Sequence, residues 1–108
     1  MDRTFVRGNL NLLILSLLHS GPLYGLQVAK QINALIDDGN PLSYGSLYPA
    51  LHRLETQGFL LGTDRPSPAG ARPVREYALT DAGRAHLADL KAAQQDFQRT
   101  LTALWGEG

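Results

Sequence analysis

Tyr44, Tyr48 and His52 recur at four-residue spacing, so a helix through them would line them up on one face. Glu55 continues that stripe, and Ser46, Arg53 and Thr56 fall beside it. Hydroxyls, an imidazole and a guanidinium are donors to phosphate oxygens and base edges. A solvated face can carry the same charges. Paired tyrosines on an otherwise hydrophilic face favour a binding surface instead. Ser43-Tyr44-Gly45-Ser46 at the start of this helix adds free backbone N–H groups, a natural seat for a phosphate.

A second cationic group follows. The segment 65–75 holds Arg65, Arg72 and Arg75 and no acid. It suits phosphate or minor-groove contact, or the plainer work of keeping a surface loop soluble. Arg75 alternates in phase with Tyr77 and Leu79, so it has a second reading, lying over a hairpin and pairing with an acid.

Catalysis finds no such grouping. His19, His52 and His86 lack metal-ligand spacing, and His52 with Glu55 offers two ligands, too few for a closed site. His19 beside Ser20 has no third group to orient it. With zero cysteines, thiol catalysis, disulfides and Cys-based zinc sites are excluded. There is no glycine-rich phosphate loop. No enzyme, cofactor or metal is expected.

The elements that must position these groups are legible from periodicity. Apolar residues at 6, 10, 13, 14, 17 and 18 predict one helix over Val6–Leu18, ended by Ser20-Gly21-Pro22. A second helix carries Gly25, Val28, Ala29, Ile32, Leu35 and Ile36 inward and breaks at Asp37-Asp38-Gly39-Asn40-Pro41. The third, capped by Ser43, buries Leu47, Ala50, Leu51 and Leu54 and stops at Gly58, with Pro49 expected to kink or tighten it. Phe59–Asp64 and Val74–Leu79 read as strands around a loop rich in proline. Thr80 caps a final helix over 81–104. On it, positions 83, 87, 90, 94, 97, 101 and 104 alternate in steps of four and three, a heptad seam.

Three helices, a hairpin and a long helix are the parts of a winged helix-turn-helix with an appended dimerisation helix. The fold expected is mainly α with a small β-hairpin, with a DNA-binding domain at 1–79 and the C-terminal helix at 80–108 as one structural unit. A chain of 108 residues has room for no more. Its formal charge of zero argues mildly against nucleic acid until it is divided: residues 43–75 carry +2 and 36–42 carry −2. The apolar run Leu10–Leu18 is half a bilayer span and lacks a cleavage-site pattern, so the expectation is a soluble cytoplasmic protein without membrane contact.

The sequence resembles the PadR family of transcriptional regulators over about residues 9–90. The resemblance lies in Leu13-Ile14-Leu15-Ser16-Leu17-Leu18, Gly21-Pro22-Leu23-Tyr24-Gly25, the run Ser43 to Glu55 with its Ser-Leu-Tyr-Pro-Ala-Leu core, Gly58-Phe59-Leu60 and Tyr77 to Gly83. It departs at Leu26, where an aromatic often follows the glycine, and in a wing richer in proline. The resemblance implies a homodimer, usually a repressor, on an inverted-repeat operator, with Pro49 tolerated in its helix. Some members answer to phenolic or flat aromatic compounds. The DNA-contacting set expected is Tyr24, Ser43, Tyr44, Ser46, Tyr48, His52, Arg53, Arg65, Arg72 and Arg75.

The seam needs more apolar surface than one small domain offers. Two copies joined through Leu87, Leu90, Gln94, Phe97, Leu101 and Leu104 would set two third helices about 34 Å apart, predicting a palindromic operator. Phe97, Leu101 and Trp105 are expected either to anchor that dimer or to wall a slot for a small aromatic ligand. The alternative reading is a winged-helix module that binds proteins through a coiled-coil helix and never touches DNA.

Overall fold

The computed structural model describes residues 1–67 and 72–106. Among the described residues eight elements run in the order α1 (Arg3–Gly8), α2 (Leu10–Leu18), β1 (Leu23–Tyr24), α3 (Gly25–Asn33), α4 (Tyr44–Thr56), β2 (Leu60–Arg65), β3 (Val74–Leu79) and α5 (Asp81–Leu104). The three strands form an antiparallel sheet in the order β1-β3-β2. Val6, Ile14, Leu15, Leu18, Val28, Ile32, Leu47, Leu51, Leu54, Tyr77 and Leu87 build one core that joins every helix to the sheet.

The expected first helix is two. Asn9 leaves helical geometry at φ −123°, ψ 22°, and its side-chain amide donates to the Phe5 carbonyl at 2.8 Å. Gly8-Asn9 is the breaker pair that apolar periodicity overran. Helix α3 ends at Asn33, three residues before Ile36. The chain tightens there, with Ile36 N–H bonding the Asn33 carbonyl, while the amino group of Met1 takes the Leu35 carbonyl at 2.9 Å. The Asp38 carboxylate accepts from the Arg3 N–H, which holds its pKa below the usual value. Strand β1, unforeseen, pairs Leu23 with Tyr77 and Tyr24 with Glu76.

The connection that aims α4 depends on one amide. Asn33 donates to the Leu42 carbonyl at 2.8 Å and accepts from the Leu42 N–H at 2.9 Å. Leu42 is itself core. Ser43 caps α4 by accepting from Ser46 N–H, and α4 continues unbroken through Pro49. Gly58 closes it at φ +85°, with Phe59 N–H returning to the Leu54 carbonyl at 2.9 Å. That bond takes Phe59 out of the strand, so β2 starts one residue later than expected.

Helix α5 spans the expected residues, but its seam divides. Gly83 and Leu87 are buried in the chain's own core, and Leu90 packs against it. Leu87 and Leu90 were expected at a dimer interface; here they hold α5 to its own domain. Residues 91–100 are exposed along their length. The molecule is accordingly elongated, 57 × 35 × 20 Å. No helix among the described residues is long and apolar enough to cross a membrane.

Candidate nucleic-acid interface

The α4 stripe forms as a graded ladder. Tyr44, at its base, is half-buried, and its hydroxyl end sits where a side chain on Gly25 would be. Burial raises its pKa first and the neighbouring Tyr48 phenol second. The ring of Tyr48 lies 5.9 Å from that of Tyr44, and His52 stacks on Tyr48 at 6.1 Å. Tyr48 is 42% exposed and His52 is exposed. Tyr44 therefore anchors the ladder, and Tyr48 and His52 present the hydrogen-bonding edge.

The helix N-terminus is less open than expected. Ser43 and Ser46 hydroxyls bond each other at 3.0 Å while Ser43 caps the Ser46 N–H. Both stay near the surface. Tyr24 is 37% exposed at the start of α3, where its N–H bonds the Gln27 side chain.

The arginines divide into three kinds. Arg72 and Arg53 form no ion pair among the described residues; Arg72 is exposed on the wing. Arg53 lies on a different groove from Tyr48 and His52. It borders a groove of about 460 Å³ between α1–α2 and α5, with Arg7, Asn9, Leu90, Gln94 and Phe97. Arg65 pairs loosely with Glu76 at 3.4 Å and keeps half its side chain exposed. Arg75 takes the second of its two readings. Its guanidinium binds the Glu55 carboxylate of α4 and reaches Asp64 of β2 at 2.9 Å. These two carboxylates, Glu55 foremost, hold its proton more firmly than usual. The wing tip, residues 68–71, lies outside the described residues.

Tyr48, His52, Glu55, Thr56, Asp64 and Arg75 together line a shallow groove of about 550 Å³ between α4 and the hairpin. A polar helix edge beside a β-ribbon of this kind fits the outer rim of a duplex groove. Sequence reading missed Asp64, Asn33 and Gly62 as parts of this frame. The register of the hairpin was the available signal, because it sets Asp64 opposite Arg75.

The profile of the transcriptional regulator PadR-like family matches residues 14–89, which include α3, α4 and both strands of the wing. The chain belongs to the PadR-like family of transcriptional regulators. It is 34% identical over 99 residues to the transcriptional regulator Rv3488 of Mycobacterium tuberculosis, covering 92% of this chain and 88% of that protein. A PadR family regulator from Eggerthella lenta has the same fold, with a TM-score of 0.79, 30% identity, and coverage of 97% of this chain and 88% of that one. Bacillus subtilis PadR, solved in complex with operator DNA, aligns at a TM-score of 0.65 and 26% identity over 75% of this chain and 45% of that one.

The apolar residues of distal α5 are largely uncovered within one PadR-like chain, and Phe97 borders the groove between α1–α2 and α5. Phe97, Leu104 and Trp105 are 63%, 76% and 61% exposed, and Leu101 is intermediate. Gln94 is exposed beside them.

Proposed function

We propose that this regulator acts as a homodimer that binds a palindromic operator and represses transcription, working by binding rather than by catalysis in the cytoplasm. Residues 1–79 bind DNA, and the C-terminal helix at 80–108 dimerises through its exposed part beyond Leu90. The reading is carried by one observation: the exposed Tyr48–His52 stack on α4, flanked by a wing whose Arg65 and Arg72 remain exposed. Tyr48, His52 and the Ser43–Ser46 end enter the major groove, and Arg65 and Arg72 follow the backbone. Tyr24 adds a phosphate contact at the start of α3. The Bacillus subtilis relative was solved in complex with operator DNA, which supports DNA as the partner.

A second copy covers Phe97, Leu101 and Leu104, and Phe97, Leu101 and Trp105 take up a small aromatic effector between the two helices. Quenching of Trp105, the single tryptophan, by planar aromatic compounds is the expected signature of the effector. Unchanged fluorescence across such a panel removes that part. The test of the whole is selection of binding sites from random duplex DNA. A palindrome with half-sites about 10 bp apart, or a multiple, is expected. Enrichment of no sequence overturns the reading.

A further inference from the structure

Three elements meet at a single cation beside the proposed DNA-binding surface. Arg75 stands on β3 directly opposite Asp64 on β2. Two residues back along β2, Gly62 leaves the strand bare. A Cβ built on Gly62 would lie 2.7 Å from Arg75 Nε, 2.8 Å from Nη2 and 2.9 Å from Cζ. The guanidinium therefore lies across the strand in the space that any other residue would fill. By that route it reaches Glu55, twenty residues earlier on α4, through Nε and Nη2, while Nη1 holds Asp64. The Tyr77 ring lies beneath it at 6.0 Å.

We propose that Arg75 is a positioning residue that sets the wing against the recognition helix, and that Gly62 is the notch that admits it. The proposal rests on the DNA-binding reading above. Arg75 is only about a third exposed, and Glu55 is less exposed still. A guanidinium engaged by two carboxylates has little left to offer a phosphate. Its work is to fix the distance from the Tyr48–His52 edge to the wing arginines. It also offsets part of the negative charge of two carboxylates on a face that meets a polyanion.

Gly62→Ala is the informative variant because it retains every charge. Its methyl collides with the mobile end of one side chain, so the fold survives while the guanidinium leaves Glu55. Affinity for the selected operator and for a random duplex is measured across salt for the wild type, Gly62→Ala, Glu55→Gln, Arg75→Gln and the Glu55→Gln/Arg75→Gln double variant. The ratio of operator to random affinity is expected to fall on the order of tenfold in each single variant and no further in the double. The salt slope of Gly62→Ala stays that of the wild type. Wild-type ratios in Gly62→Ala and Glu55→Gln overturn the proposal. So does an Arg75→Gln variant that weakens both duplexes equally and lowers the salt slope by about one, the behaviour of a direct phosphate contact. Amide exchange at Thr63 and Val74 without DNA separates the two readings. Faster exchange in Gly62→Ala supports the clamp even in a protein that retains no DNA, and unchanged exchange refutes it.

Discussion

Helix α4 and the distal half of α5 each leave a face uncovered, and the two faces differ in kind. The α4 face presents a phenol and an imidazole, and the Glu55 carboxylate on its flank is paired by Arg75 of the same chain. The distal α5 face presents Phe97, Leu104 and Trp105, each more than half exposed. The first is a finished polar surface suited to a partner rich in hydrogen-bonding edges. The second is a piece of hydrophobic core without its other side, and burying each such residue is worth about 1.5–3 kcal/mol. The boundary between self-sufficiency and dependence falls inside α5, just after Leu90.

That boundary can be broken at either side, and the largest effect is expected on the proximal one. Leu87→Ala should destabilise the fold by about 2–5 kcal/mol in denaturant titration, because its side chain is 2% exposed in the core. Leu104→Ala should change unfolding of the dilute chain by less than about 0.5 kcal/mol. Equal losses in the two would erase the boundary. Gly83→Ala belongs with the proximal class: its Cβ would strike the backbone carbonyl of Phe59, which cannot yield as a side chain can.

Next comes the distal face. Phe97→Asp combined with Leu104→Asp should leave thermal stability of the isolated domain unchanged and move sedimentation from dimer to monomer. Loss of the second half-site should weaken operator binding by roughly 100-fold, about 3 kcal/mol. A variant that still sediments as a dimer would place the partner surface elsewhere.

How much of this was legible beforehand follows the same boundary. Strand β3 and α5 were readable because Thr80 and Asp81 mark a helix start and the alternation before them is clean. A heptad seam, however, states only that a face is apolar. It cannot state whose apolar surface covers it, so Leu87 and Leu90 were assigned to a partner although their own chain holds them. Strand β1 is two residues long and exists only because β3 lies beside it. The aromatic stripe of α4 was visible from spacing, but the partners of Arg75 were not. A helical wheel gives a direction, whereas the choice of Glu55 and Asp64 as partners depends on a hairpin that crosses over α4.

The polar surface is tested by smaller changes. Tyr48→Ala and Arg72→Ala should each weaken operator binding by about 1–3 kcal/mol with unfolding unaltered. They should differ in salt response. Arg72→Ala lowers the slope of log affinity against log salt by about one, and Tyr48→Ala leaves it unchanged. Unchanged affinity in both variants would remove α4 and the wing from the DNA-binding surface.

The smallest effect concerns the joint beneath that surface. Tyr77 is fully buried, and its hydroxyl has no partner in hydrogen-bonding geometry among the described residues, although the Tyr44 phenol lies near enough to feel it. Burial, then the neighbouring phenols of Tyr44 and Tyr48, push its pKa up to about 12 from the usual 10.0. The neutral form is therefore the one the fold favours. Its contribution is complete below pH 10 and is lost as pH rises from 10 towards 12. Tyr77→Phe removes an unsatisfied donor and should leave stability at pH 7 within about 1 kcal/mol of wild type, on the stabilising side. Above pH 10 the wild type should lose stability faster than the variant, measured as denaturant midpoints at stepped pH. Parallel alkaline losses in both proteins would mean that the core beneath α4 does not sense the Tyr77 proton, leaving Tyr44, which Tyr77→Phe retains, as the group that titrates there.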